Sequence, residues 1–268
     1  MIATIKAEWR KNRFRPAFLV GSGLIAGIVV LVYSGNWYLA THPAASERAV
    51  SLASLFPDQL VNSIMGASFP LGAAMAVVLG ALVAGSEYSW GTLKTLLTQR
   101  PGRLTNWAGR VAVFMGWMGV LSIVLFATGA AYSALIAAFE GHAIAWPAFA
   151  DIAKGFGAMW LIFAVNGAIG LALGVLIRQS AAALGVGVVY ILSVELIAVR
   201  FIDSVNNGAY KGIGDLFVDQ NASALIAHLS ASATSTSIGV EQALVVMAAW
   251  LTGLLVLAAA LVRQRDVT

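Results

Sequence analysis

Six long apolar stretches run through this chain, at residues 17–38, 64–84, 111–138, 156–177, 181–199 and 241–262, and they decide what it can fold into. Each is close to the roughly 20 residues an α-helix needs to cross about 30 Å of hydrocarbon. A lone strand in lipid would leave its backbone N–H and C=O groups unpaired, so each stretch reads as a helix. Composition closes the soluble alternative. Hydrophobic residues make up 60% and charged residues 10% of the 268, with mean hydropathy +0.86. Soluble domains carry roughly 25% charged residues, so there are too few here to coat a globule of this size. A soluble enzyme or a nucleic-acid binder is excluded despite the net charge of +4. The first stretch exceeds a signal-peptide core and lacks a clear small-residue cleavage site after it, so it is expected to stay as a span. With no cysteine, the chain has no disulfide framework or thiolate site.

Six spans put both termini on one side. Arg48, Lys154, Arg200 and Lys211 fall on the opposite side, and the rest of the 16 Lys and Arg lie on the side of the termini. The positive-inside rule therefore expects both termini in the cytoplasm. Trp37, Tyr38 and Trp146 then sit at the outer interface, where aromatic belts form. No soluble domain fits between the spans, so residues 1–268 read as one all-α transmembrane domain. Ile2, Ile5 and Trp9 share helical spacing, with Lys6, Arg10 and Arg13 turned away. That predicts an amphipathic helix over 1–15 lying on the inner leaflet, its apolar side toward lipid. The external stretch 200–240 holds one moderately apolar piece, 221–229, too short to cross. It reads equally as a short interfacial or re-entrant helix and as a loop.

The chemistry-bearing motifs are few. No G-x-x-x-x-G-K-[ST] occurs at any of the five lysines, so the chain has no phosphate-binding loop of its own. His42, His142 and His228 all fall in external segments, and there is no H-E-x-x-H. Intramembrane hydrolysis by zinc or by a serine–histidine pair is therefore unsupported. Glu195, near the outer end of span five, is the one clear ionisable group at membrane depth. Such groups are costly and frequently functional. It can line a substrate path or bond a neighbouring helix. As a titrating group it would support a second reading, a proton-driven secondary carrier. Asn166 in span four suits a hydrogen bond between helices. Gly23/Gly27 and Gly170/Gly174 have the spacing of close helix packing.

The cytoplasmic loop after span two, residues 86–103, is the most specific segment. Trp90, Leu93, Leu96 and Leu97 form an apolar stripe at helical spacing, ended by Pro101-Gly102. From the pattern alone, this stripe packs either on a partner or on the inner ends of its own spans. The loop resembles the signature of ABC-2-type transporter permeases, the membrane subunits of ATP-driven exporters. In that family a Glu at the end of span two precedes Gly-Thr, a Leu-rich turn, then a small residue or proline and Arg. Here those are Glu87, Gly91, Thr92, Leu93, Lys94, Leu96, Leu97, Pro101 and Arg103. The Gly-rich stretch 167–195 and the terminal Arg263-Gln264-Arg265-Asp266 are similar to the same family.

The resemblance implies six transmembrane helices, an interfacial N-terminal helix and a cytoplasmic coupling helix docked on a separate ABC ATPase subunit. Coupling would fall to Glu87, Trp90, Gly91, Thr92, Leu93, Lys94, Leu97 and Arg103. The chain itself would bind no cofactor and catalyse nothing, since ATP and Mg belong to the ATPase. A second permease subunit, identical or related, would complete the path, with spans two and five lining it. That nominates Phe69, Met75, Tyr190 and Glu195. The expected setting is a bacterial-type inner membrane, with membrane lipids as the surrounding partner and a hydrophobic or amphiphilic cargo.

Overall fold

The computed structural model describes residues 2–42, 50–89, 102–205, 210–230 and 237–264. Among them there is no strand. The helices are α1 (Ile2–Arg13), α2 (Pro16–Thr41), α3 (Leu60–Ser89), α4 (Arg103–Phe139) and α5 (Phe149–Ile177). α6 covers 180–204 as Ser180–Val189, a π-helical turn at Tyr190–Val194, and Glu195–Ser204. A short helical turn (Lys211–Gly214), α7 (Val218–Leu229) and α8 (Val240–Gln264) follow. Six of these, α2, α3, α4, α5, α6 and α8, are long and apolar enough to cross a membrane, as the six apolar stretches require. We call the end that carries α1 proximal and the opposite end distal.

α3 and α5 form the centre of the bundle, and their crossing is built on glycine. A Cβ on Gly170 would collide with the Val77 carbonyl, and one on Gly80 with the Gly167 carbonyl. A Cβ on Gly174 would lie 2.8 Å from that of Ala84. Small residues let backbones approach where lipid gives helices no hydrophobic reason to associate. Gly170/Gly174 is thus an internal packing pair, whereas Gly23 and Gly27 on α2 face open space. Asn166 differs from expectation. Its Nδ2 donates to the Ile162 carbonyl of its own helix at 2.8 Å, so the polar group is satisfied without a neighbouring helix.

α1 is a helix, and the face it turns to the bundle is one that the sequence pattern does not specify. The buried residues are Thr4, Glu8 and Asn12, a polar row at i, i+4, i+8 set against α4, while Ile2 is 74% exposed. Thr4 reaches α4 at Gly109, where a Cβ would come within 2.7 Å of its methyl group. Trp9 stays in contact with the bundle through its ring, stacked on Trp117 at 5.3 Å, and Phe18 stacks on the same Trp117 at 4.7 Å. Lys6, Arg10 and Arg13 are exposed.

Candidate functional site

At the distal end, α7 lies against α3, α5 and α8. It begins at Val218 with Phe217 as its N-cap, a residue that offers no side-chain acceptor. The first amides of a helix need partners, and here a side chain from another helix supplies one. The Glu195 carboxylate of α6, 1% exposed, accepts from the Asp219 backbone N–H at 2.6 Å. The carboxylate also suits the positive end of the α7 dipole. Glu195 follows directly on the π turn, closed by its own N–H to the Tyr190 carbonyl. That five-residue step brings the Tyr190 side chain to the same carboxylate. Asp219 lies beside the cap, and burial pushes its carboxyl above the usual carboxylate range.

Other contacts hold the approach to α7. Asn221 Nδ2 donates to the Asp215 carbonyl at 2.8 Å and to the Phe217 carbonyl at 2.7 Å. Trp250 Nε1 of α8 donates to the Leu216 carbonyl at 2.8 Å. The piece 221–229 is therefore a helix, packed through Val218, Ala222, Ala224 and Leu225.

Two clefts open at this end on either side of α3, and both contain Asn62 and Gly66. One, of about 320 Å³, lies toward α2 and includes Tyr33, Asn36, Ser54 and Ser63. The other, of about 210 Å³, lies toward α7 and includes Phe69, Ser223 and Ser230.

Among the four path candidates, the structure brings Tyr190 and Glu195 together at the start of α7. Phe69 is set apart from them in the α7-side cleft. Met75 lies further along α3, its sulfur 3.6 Å from where a Cβ on Gly21 would stand, at the contact with α2. At the proximal end, Arg103 is the first residue of α4, with Gly102 as N-cap. The backbone of Glu87 lies in the last turn of α3. Its side chain, and Trp90, Gly91, Thr92, Leu93, Lys94 and Leu97 entirely, lie outside the described residues.

Sequence reasoning did not find the partners of Glu195, nor the roles of Asn221, Tyr33, Asn36 and Asn62. One signal was present: Phe217-Val218 offers no capping residue at a helix start, which calls for a cap from elsewhere.

A family model of ABC-2 family transporter proteins matches residues 4–194, from α1 to the end of the π turn. The chain belongs to the ABC-2 transporter family. It is a multi-pass membrane protein, and this family is the membrane component of ABC transporters. No curated protein matches the chain.

Proposed function

We propose that this ABC-2 chain is the permease subunit of an exporter, a single transmembrane domain coupled to a separately encoded ATPase. The observation that carries the reading is the family match over 4–194, which takes in most of α1, the loop after α3, four of the six spans and more than half of a fifth. The sequence supports the division of labour, since it holds no phosphate-loop motif and the ATP and Mg would sit in the partner. α1 adds to this: its exposed Lys6, Arg10 and Arg13 stand at the same end as the last turn of α3 and the first of α4, which flank the loop 90–101 in sequence. In this reading α1 and that loop form the cytoplasmic face. Nucleotide-driven closure of the ATPases moves the loop, and α3 and α4, which flank it, carry the motion into the membrane.

Both termini then face the cytoplasm of a bacterial-type inner membrane. Because the chain has no cysteine, single-cysteine labelling can test this directly. A cysteine in place of Thr268 should react only after the membrane is opened, and one in place of Thr236 in intact cells. A second permease subunit, the same or related, faces the exposed sides of α2 and α6. The geometry of Glu195 favours the permease over a proton-driven carrier, because its carboxylate is engaged as a helix cap.

Co-purification tests the proposal. An ATPase encoded beside this chain should bind it, and binding should fail when Trp90→Glu and Leu93→Glu are introduced together. Glu87→Gln should leave insertion and ATPase binding intact while transport falls relative to ATP hydrolysis in reconstituted vesicles. An ATPase that does not bind the wild-type chain, or transport that persists without it and collapses with the proton gradient, refutes the reading.

A further inference from the structure

The two distal clefts share a chemical character. Tyr33 and Asn36 come from α2, Asn62 and Gly66 from α3, and none of the residues lining either cleft carries a carboxylate, ammonium or guanidinium. They nonetheless hold unspent hydrogen-bonding capacity. The Tyr33 hydroxyl is buried and faces Ser63 without making a direct hydrogen bond. The one hydroxyl proton of Ser63 is shared between the Gln59 and Ser54 carbonyls, and that of Ser54 goes to the Ser51 carbonyl, so both hydroxyls present only acceptor oxygens. The half-buried carboxamides of Asn36 and Asn62 make no hydrogen bond to any described residue. Each offers two donors and an acceptor oxygen.

The backbone contributes as well. Pro70 lies inside α3 and has no N–H to give the Gly66 carbonyl four residues earlier. Gly66 is on the wall of both clefts, so a carbonyl released from the helix ladder stands between them. Around this polar strip lie apolar faces, Val32 and Leu55 on one side and Phe69 and Ile226 on the other.

An empty apolar slot would call for an alkyl chain alone, and a charged ligand would need a counter-charge that these walls lack. Neutral amides, a phenol and a free carbonyl flanked by apolar carbon suit a ligand with the same alternation. We propose that the paired clefts bind the uncharged, hydroxyl-bearing head group of a sugar or polyol, with Asn62 and Gly66 bridging the two halves and Tyr33 and Asn36 fixing its orientation. The larger cleft, about 320 Å³, matches the lower end of small-molecule sites, roughly 300–1,000 Å³. The inference rests on the permease reading only in calling this ligand a cargo.

The test is binding to the full-length chain in phosphatidylcholine nanodiscs, without any ATPase, read by saturation-transfer NMR. The ligands are methyl glucoside, octyl glucoside below its micellar concentration, and octyl phosphate. Both glucosides should bind if the head group comes from solution, and octyl glucoside alone if it comes from a lipid. Tyr33→Phe keeps the ring edge-on to Tyr132, 6.1 Å between centroids, and so preserves packing. It should weaken glucoside binding about fivefold, the worth of one neutral hydrogen bond. Asn36→Leu with Asn62→Leu should abolish it. Octyl phosphate binding as tightly as octyl glucoside, or glucoside binding unchanged in Tyr33→Phe and the double variant, overturns the proposal. So does failure of both glucosides to bind. Because no ATPase is present, these outcomes leave the co-purification test of the permease reading untouched.

Discussion

Two short amphipathic helices cap this bundle, one at each end, and they dock in opposite ways. α1 turns Thr4, Glu8 and Asn12 inward against α4 and leaves Ile2 outside. α7 turns Val218, Ala222, Ala224 and Leu225 inward, as a helix on a soluble core would. In water the apolar face of a helix has one place to go. Beside a membrane it has two, the bundle and the lipid, so amphipathicity fixes an axis without fixing which side faces the protein. The quality of the polar contacts differs as well. On α7 the buried polar groups are partly paired: Asn221 Nδ2 bonds two carbonyls and one Glu195 oxygen reaches across to cap the helix, which leaves Asn221 Oδ1 and the second Glu195 oxygen without a hydrogen-bond partner among the described residues. On α1 both amide atoms of Asn12 are buried without a partner, as is the Thr4 hydroxyl. We read α7 as a fixed part of the distal end and α1 as a joint that can detach at low cost.

The largest effect should come from removing the cap. Glu195→Leu takes away a charge-assisted bond and leaves the α7 amide without an acceptor, a loss of about 2–3 kcal/mol in docking. Faster amide exchange across Val218–Leu229 would report it, with α1 unaffected. Glu195→Gln keeps an acceptor and should lose about half as much. Protection of α7 unchanged by Glu195→Leu would mean the cap is incidental.

A matched pair of substitutions sharpens the contrast, because Asn12 and Asn221 are both 0% exposed. Asn221→Leu should loosen α7 by about 1–3 kcal/mol, since it takes the side-chain donor from the Asp215 carbonyl, while the Phe217 carbonyl keeps the backbone N–H of residue 221. Asn12→Leu should tighten α1 by about 1 kcal/mol, because it replaces an unpaired buried amide by carbon. Opposite signs are the expectation, measured by exchange or by proteolysis at each helix. The same sign at both sites would remove the distinction drawn here.

A smaller change probes the α1 seam directly. Gly109→Ala places a methyl group 2.7 Å from the Thr4 methyl and 3.1 Å from its Cβ. α1 must then shift, at a cost of about 1 kcal/mol for modest overpacking. Thr4→Ala should be close to neutral alone and should recover part of that loss in combination, a coupling a double-mutant cycle measures. Strict additivity would show that the two helices do not touch at this point.

What the sequence discloses follows the same divide. Hydrocarbon accepts a continuous apolar helix and little else, so the six spans were readable from length and composition alone. The inward face of α1 was not, because Ile2 and Trp9 have lipid as an alternative partner. Gly170/Gly174 was visible as a spacing, but its true partners, Val77, Ala81 and Ala84, follow from a helix crossing that no local pattern encodes. Glu195 stood out as a buried charge, while its partner amide lies 24 residues away in a segment with weak periodicity. Asn36 and Asn62 drew no notice, because neutral amides near span ends are ordinary until a cleft brings them together. The coupling set around Trp90 and Leu93 remains a motif reading, carried by the family to which the chain belongs.

The smallest effect concerns pH and again separates the two helices. Asp219 is half-buried beside the Glu195 cap, and burial raises its carboxyl above the ordinary value of about 4. The docked state therefore favours the proton more than the undocked state does. A raised docked value means the stabilisation is complete below the ordinary carboxylate range and is lost as pH climbs through the raised one. Docking of α7 should weaken over that interval, and Asp219→Asn, which cannot ionise, removes that contribution. Intrinsic exchange rates also change with pH, so the quantity to follow is the wild-type to Asp219→Asn ratio of α7 amide exchange at each pH. That ratio should rise from acid to neutral pH, and it should do so in a Glu195→Gln background too, which assigns the titration to Asp219 rather than to the cap. A ratio that stays flat in both backgrounds would show that the Asp219 carboxyl is as well solvated with α7 docked as with α7 free.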